Sequence, residues 1–148
     1  MITDALNTFS NNQVLTTSAA STNVIDLGPL SSSNTTRDIG KGEPVKVFAS
    51  VGATNLAGGT SLQATLETSL TEGSGYTVIA SGPVLPLASL TAGARLLAMA
   101  VPQGVQRYLR IGYVAVGTFT GSNGVNAGLV ETLQDPQAQF GSGYTLDT

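Results

Sequence analysis

Short stretches in which apolar and polar residues alternate recur along the chain, and turn-forming residues separate them. The clearest is SLQATLETSL (61–70), in which Leu62, Ala64, Leu66 and Leu70 fall on one side of an extended chain. Alternation with a period of two is typical of a strand that buries one face. We therefore expect a half-buried strand in this stretch.

Seven further stretches have a similar strand-like character. They are NQVLTTS (12–18), NVIDLG (23–28), PVKVFASVG (44–52), YTVIA (76–80), ARLLAMAV (94–101), QRYLRIGYVAV (106–116) and VNAGLVETL (125–133). We expect Ile25 and Leu27 in the core. The alternation in PVKVFASVG and VNAGLVETL predicts one face each, formed by Val45, Val47, Ala49 and Val51 in the first stretch and by Val125, Ala127, Leu129 and Leu133 in the second. In ARLLAMAV the alternation predicts Leu97 and Met99 on the face opposite to Leu96. No helices of 10–15 residues alternate with the strands, which argues against βαβ folds.

The connections between these stretches contain glycine and proline. TEGSGYT (71–77) and TGSNGVN (120–126) are predicted hairpin loops, and Pro102-Gln103-Gly104 predicts a tight turn. PLASLTAG (86–93) is predicted to hold one helical turn.

About eight short antiparallel strands predict an all-β fold, an antiparallel β-sandwich of the jelly-roll type. We expect one domain over 1–134, with an N-terminal arm over 1–12 and a long polar loop over 29–43. An irregular C-terminal tail is expected over 135–148.

Composition excludes many kinds of chemistry. Charged residues are 10% of the chain, against about 25% in ordinary soluble domains. The net charge is −3 and no basic patch is present, so direct nucleic-acid binding is not expected. No apolar run has the roughly 20 residues of a membrane helix. With no His and no Cys, Ser-His-Asp triads, cysteine nucleophiles and histidine zinc sites are excluded, and no cofactor is expected.

Asp26 and Glu131 are the only carboxylates inside strongly apolar stretches. An enzyme using carboxylates alone would need these two side chains to converge in one pocket. A partner for an arginine is the favoured role of either residue, so we do not expect an enzyme. A sugar platform is disfavoured because tryptophan is absent. The tyrosines are expected in the core or at an interface.

The stretch VQRYLRIGYVAVG (105–117) holds two of the six positive charges. Leu109, Ile111 and Tyr113 are predicted to point inward, which leaves Tyr108 and Arg110 on the outer face. Tyrosine and arginine are enriched at interfaces, so a partner contact is one interpretation. The other is that Arg110 pairs with a carboxylate of a neighbouring strand, such as Glu67 or Glu131.

Several segments together resemble a family of tailed-bacteriophage capsid cement, or decoration, proteins. They are LPLASLTAGARLLAMAVPQGVQRYLRIGYVAVG (85–117), STNVIDLG (21–28), IGKGEPVKVFASV (39–51) and VNAGLVETLQ (125–134). The resemblance implies a jelly roll without enzymatic activity that forms small homo-oligomers. It also implies a place on the outside of an icosahedral shell, where the protein bridges neighbouring major capsid proteins.

We therefore expect a structural virion protein, made in the host cytoplasm, whose partners are the major capsid protein and itself. Homodimer and homotrimer both remain open, and no membrane is involved. The expected contact residues of the oligomer or the capsid are Leu6, Phe9, Arg37, Tyr108, Arg110, Phe140 and Tyr144. The alternative is a carbohydrate- or receptor-binding module of a phage tail or surface protein.

Overall fold

Two antiparallel sheets pack face to face in the computed structural model, which describes residues 4–28 and 44–133. The strands are β1 (Thr8–Val14), β2 (Ala19–Ala20), β3 (Ile25–Asp26), β4 (Lys46–Val51), β5 (Ser61–Ser69), β6 (Thr77–Ser81), β7 (Leu85–Pro86), β8 (Arg95–Ala100), β9 (Tyr108–Val116) and β10 (Gly124–Val130). Single 3-10 turns cover Ala5–Asn7 and Leu87–Ser89, the second within the predicted helical turn.

The strand order is that of a jelly roll. One sheet has the order β1-β10-β4-β8, and the other has the order β2-β9-β5-β6, with β3 paired to β9 and β7 paired to β5. The short strands β2 and β3 share one partner, as do β6 and β7, so each pair acts as one interrupted strand. Counted in this way, the described residues form a sandwich of eight strands, which confirms the predicted all-β, jelly-roll fold.

The core consists of the inward-facing side chains of both sheets. In β9, Leu109, Ile111 and Tyr113 are at most 1% exposed, as the alternation predicted. The predicted inward faces of β4 and β10 are confirmed as well, and Ile25 and Leu27 are buried. These side chains form one continuous apolar cluster between the sheets.

Strand β8 departs from the predicted alternation. Leu96 and Leu97 are both buried, at 0% and 3% exposure, although they are adjacent in sequence. Their pairing with β4 shifts register between Ala49 and Ser50, so Leu96 is an extra residue on the β8 side. A β-bulge of this kind bends the strand locally and redirects a side chain.

Two further expectations about β5 and the loops are wrong. Leu70 is 61% exposed because β5 ends at Ser69 and the chain turns there. TGSNGVN joins β9 to β10, which belong to different sheets, so it is a crossover between sheets rather than a hairpin. TEGSGYT does close the hairpin of β5 and β6.

The predicted N-terminal arm over 1–12 is too long. Residues 8–12 belong to β1, which pairs with β10 in the sandwich. Phe9 points into the core with 0% exposure, because an aromatic side chain at this position fills space between the sheets. The polar loop 29–43 and the tail 135–148 lie outside the described residues.

Candidate functional site

The outer face of the six-stranded sheet is centred on β9, which lies between β5 and the short strands β2 and β3. Antiparallel partners point to the same side of a sheet, so Tyr108, Arg110, Val114 and Val116 share the outer face with Glu67 of β5. We call this surface the outer face.

One end of the outer face carries the charged side chains. Strand β3 places Asp26 opposite Tyr108. Arg107, directly before β9, donates from Nε and Nη2 to the two carboxylate oxygens of Asp26 at 2.9 and 2.8 Å. The hydrogen bonds to Asp26 raise the pKa of the Arg107 guanidinium. Arg107 also lies over the Tyr108 ring, 4.9 Å from its centroid.

A second arginine is held beside the first pair. Arg110 Nε donates to Glu67 Oε2 at 2.6 Å, and its guanidinium lies 3.7 Å from the centroid of the Tyr76 ring. The Tyr76 hydroxyl donates to the Glu72 carbonyl at 2.7 Å, which fixes the ring. Burial raises the pKa of Tyr76. These two ion pairs and two rings form the ionic end of the outer face.

Gly112 makes the position of Glu67 possible. A Cβ at Gly112 would lie 2.3 Å from Glu67 Oε1 and 2.7 Å from Thr65 Oγ1. The Glu67 carboxylate therefore lies over the glycine backbone while it accepts from Arg110. The Glu67 side chain is only 16% exposed as a result.

The opposite end of the outer face is apolar. Val114 and Val116 of β9 are 48% and 53% exposed, and Pro86 follows Val116 in the same cross-strand row through Ser61. Val84, in the loop that leads into β7, is 60% exposed. We call Val84, Pro86, Val114 and Val116 the apolar end. Isolated exposed apolar residues are ordinary, but a group of neighbours on one face is typical of a protein contact.

The solvent-facing side of the four-stranded sheet carries a groove of about 460 Å³. It is lined by Ala5, Thr8, Ser10, Asn11, Phe48, Ser50, Asn126 and Ala127. The N-terminal 3-10 turn forms one wall, and it can approach because Gly128 has no side chain: a Cβ there would lie 2.9 Å from the Asn7 carbonyl oxygen. The lining has hydroxyl and amide groups but no ionisable side chain.

The structure separates the predicted contact residues. Tyr108 and Arg110 lie together in the ionic end, and the predicted pairing of Arg110 with Glu67 is confirmed. Leu6 is 70% exposed on the N-terminal turn, whereas Phe9 lies in the core and cannot contact a partner. The remaining three, Arg37, Phe140 and Tyr144, lie outside the described residues.

The two candidate catalytic carboxylates do not share a site. Asp26 is on the six-stranded sheet and paired with Arg107, and Glu131 follows β10 of the other sheet. The expected arginine partner of Asp26 is therefore present, although the pair is exposed rather than buried. Among residues 4–28 and 44–133, no three acidic side chains cluster in a way that would hold a metal ion.

Sequence reasoning missed Arg107, Tyr76 and the groove. Arg107 and Tyr108 are adjacent in the sequence, but their position beside Asp26 depends on the register of β3 against β9, which the sequence pattern does not contain.

Within the described part of the chain, no helix is long and apolar enough to cross a membrane.

Comparison with known proteins gives a family. No curated protein matches the sequence. The sequence model of the Bbp16 family matches residues 9–129, which span the sandwich from β1 to β10. The chain therefore belongs to the Bbp16 family.

Proposed function

We propose that this protein is a structural virion protein that binds the outside of an icosahedral phage capsid and cements neighbouring major capsid proteins. The jelly roll and the sequence resemblance over most of residues 1–134 support this role. It requires protein-contact surfaces rather than a catalytic site.

The observation that carries the proposal is the outer face of the six-stranded sheet. Its apolar end holds Val84, Val114 and Val116, each about half exposed or more, and no charged side chain. Its charged residues are already paired within the chain. A partner that covers this face gains apolar burial without having to neutralise an unpaired charge.

The two ends have different roles in such a contact. Burial of the apolar end supplies the hydrophobic contribution to affinity. In the ionic end, the rings of Tyr76 and Tyr108 hold the guanidinium groups of Arg110 and Arg107 in fixed positions. Side chains that are already ordered lose less entropy on binding, which favours specific recognition.

The cementing mechanism is avidity. The sandwich is a rigid spacer, and each copy makes contacts of modest strength with the shell. When copies are joined in a small oligomer, a second contact becomes intramolecular, so weak contacts add up to stable attachment. Leu6, exposed on the N-terminal turn, supplies a further apolar anchor to the capsid.

The second candidate is a carbohydrate- or receptor-binding module of a tail or surface protein. The groove on the four-stranded sheet favours it, because hydroxyl and amide groups beside the Phe48 ring are groups that recognise sugars. The ring itself is only 6% exposed, which leaves little platform for stacking.

Two measurements test the proposal. The first is quantitative mass spectrometry of purified particles, which counts this chain against the major capsid protein. A ratio of one, or a simple fraction set by symmetry axes, supports cementing. A handful of copies per particle supports the tail module instead, and absence from the particle contradicts both.

The second measurement is rebinding to capsids that lack the protein. Val114→Glu places a charge in the apolar end and should weaken rebinding. Val14→Glu is a matched control, because Val14 is 47% exposed and Val114 is 48% exposed, but Val14 lies on β1 of the other sheet. Equal rebinding of the two variants would show that the outer face is not part of the capsid contact.

A further inference from the structure

Within residues 4–28 and 44–133, strand β8 is a free edge of the four-stranded sheet. Among the described residues it pairs with β4 on one side and with nothing on the other. The side chains of Ala98 and Ala100 are exposed there. A free edge presents unpaired backbone N–H and C=O groups and pairs readily with another strand.

The register shows which backbone groups point outward. Val101 N–H donates to the Val45 carbonyl at 2.9 Å, so this opposed pair is hydrogen-bonded. Hydrogen-bonded and non-hydrogen-bonded pairs alternate along antiparallel strands. The pairs of Ala98 with Phe48 and of Ala100 with Lys46 are therefore not hydrogen-bonded. The backbone groups of Ala98 and Ala100 consequently point away from β4, toward the free edge.

The other edges in the described ranges are interrupted. Strand β1 shifts register twice against β10, and Asn12 within it has a positive φ of 48°. Strands β2 and β3 have two residues each, and the β5–β6 pairing shifts register between Leu66 and Glu67. Short strands and bulges protect edges from pairing with other chains. Strand β8 also has a bulge, at Leu96, but residues 97–100 pair with β4 without a shift, which is a longer unshifted run than the other edges have, and they carry no charge.

We infer that β8 is the self-association edge of this protein, and that its occupant is β8 of a second copy. Antiparallel pairing of Ala98 with the partner's Ala100, and of Ala100 with the partner's Ala98, satisfies the outward N–H and C=O groups of both. At the N-terminal end of β8 the pairing stops at Leu96, because Gly82 lies close against its carbonyl oxygen. A Cβ at Gly82 would be 2.0 Å from that oxygen.

The occupant follows from the chemistry of the edge. Residues 96–106 contain no charge, so these segments of two copies meet without like-charge repulsion and offer no charge by which a charged partner would be selected. Arg95, the one charged residue of β8, precedes the bulge at Leu96. The methyl side chains of Ala98 and Ala100 are small enough for two such edges to lie side by side. The contact is self-complementary, as a twofold interface requires.

The pairing also orients the two outer faces. A twofold axis between antiparallel strands of one sheet runs perpendicular to that sheet. Both copies then present the same side, so both six-stranded outer faces point in one direction. This inference deepens the proposed function, on which its biological use rests, because such a dimer offers two identical faces to two neighbouring capsid proteins.

The test is the mass of the isolated full chain by sedimentation velocity over a range of concentrations. The wild type should be a dimer. Ala98→Lys with Ala100→Lys places lysines opposite lysines across the axis, and Ala98→Glu with Ala100→Glu does the same with carboxylates. Each double variant should raise the dimer dissociation constant at least about tenfold. An equimolar mixture of the two should restore the dimer.

Two controls keep the result interpretable. Ala98→Pro removes an outward N–H that β4 does not use, so it should remain folded by circular dichroism and be monomeric. Val114→Glu should remain dimeric. A monomeric wild type, or dimers lost in Val114→Glu and retained in the edge variants, would overturn the inference. Dimers that depend on β8 but fail to bind capsids would contradict the proposed function alone.

Discussion

Tyr113 carries the most deeply buried phenol of the described chain. Its hydroxyl donates to Ser10 Oγ at 2.9 Å, and Ser10 donates to Gln13 Oε1 at 2.7 Å. The Gln13 amide in turn donates to the Ala20 carbonyl at 2.8 Å. This short network joins β9 and β2 of one sheet to β1 of the other, so it fixes the two sheets at that end of the sandwich.

Tyr113→Phe tests the network. At pH 8 we expect a loss of about 1 kcal/mol in the free energy of unfolding, because one buried hydrogen bond is removed. Burial raises the pKa of Tyr113 to about 12, from 10.0. Between these values the unfolded chain releases the proton and the folded chain retains it, so stability falls as pH rises.

The wild type should therefore lose its advantage over Tyr113→Phe between pH 10 and pH 12. Denaturant unfolding of both proteins at pH 8 and pH 11 measures this difference. Every other group is common to the two proteins, so it does not contribute to the difference between them. A difference that stays constant with pH would mean that Tyr113 titrates normally.

Gly112→Ala tests the close approach of Glu67. The added methyl overlaps the Glu67 carboxylate, which must move and release Arg110. We expect destabilisation of about 1 kcal/mol, whereas alanine is otherwise better than glycine within a strand. In a Glu67→Ala background most of this cost should disappear, and only the overlap of the methyl with Thr65 Oγ1 remains. Gly73→Ala is the control, since a Cβ there meets nothing within 4 Å.

At the scale of elements, the two arginines beside β9 provide an internal comparison. The Arg110 and Glu67 side chains are 29% and 16% exposed, and those of Arg107 and Asp26 are 37% and 45% exposed. Ion pairs exposed to water contribute little to stability, whereas partial burial strengthens both the attraction within the pair and the stacking of the guanidinium on an aromatic ring.

Arg110→Lys should therefore lower stability by about 1 kcal/mol, since lysine keeps the charge but loses the flat guanidinium over Tyr76. Arg107→Lys should change stability little, because water screens the exposed pair. Thermal unfolding of both variants at low and high salt checks the ranking. The reverse order would show that stacking on Tyr76 does not contribute.

The alternation of residues predicted most strands and the inward faces of β4, β9 and β10, because each buries one face against a single core. It failed at Leu96, where a bulge inserts one residue and redirects its side chain. A bulge depends on the pairing partner, which no local pattern contains. The sheet crossover at TGSNGVN was missed for the same reason, since a glycine-rich loop suits both a hairpin and a crossover.

The candidate surface was predicted only in part. Tyr108 and Arg110 could be assigned to the outer face because they alternate with Leu109 and Ile111. The stack of Tyr76 on Arg110 could not, since Tyr76 lies in a hairpin whose position depends on the β5–β6 register. Phe9 was misassigned because a short polar flank resembles a free arm, whereas the pairing of β1 with β10, with a register shift at Phe9, leaves its side chain in the core.

At the scale of the whole molecule, substitutions in the N-terminal region can test attachment to the capsid separately from the stability of the fold. Leu6 and Phe9 are three residues apart, yet one is 70% exposed and the other 0% exposed. Leu6→Ser should change the free energy of unfolding by less than about 0.5 kcal/mol, as exposed substitutions do. Phe9→Ala should cost about 3–5 kcal/mol through lost burial and a cavity between the sheets.

Capsid rebinding should rank the two variants in the opposite way when each is measured well below its melting temperature. Leu6→Ser should weaken rebinding because it removes an apolar anchor from the surface, while the folded fraction of Phe9→Ala should rebind like the wild type. Denaturant unfolding gives the stability of each variant, and co-sedimentation with capsids gives its affinity. If Leu6→Ser rebinds as the wild type does, the N-terminal turn is not a capsid contact, and the outer face of the six-stranded sheet is the remaining proposed contact among the described residues.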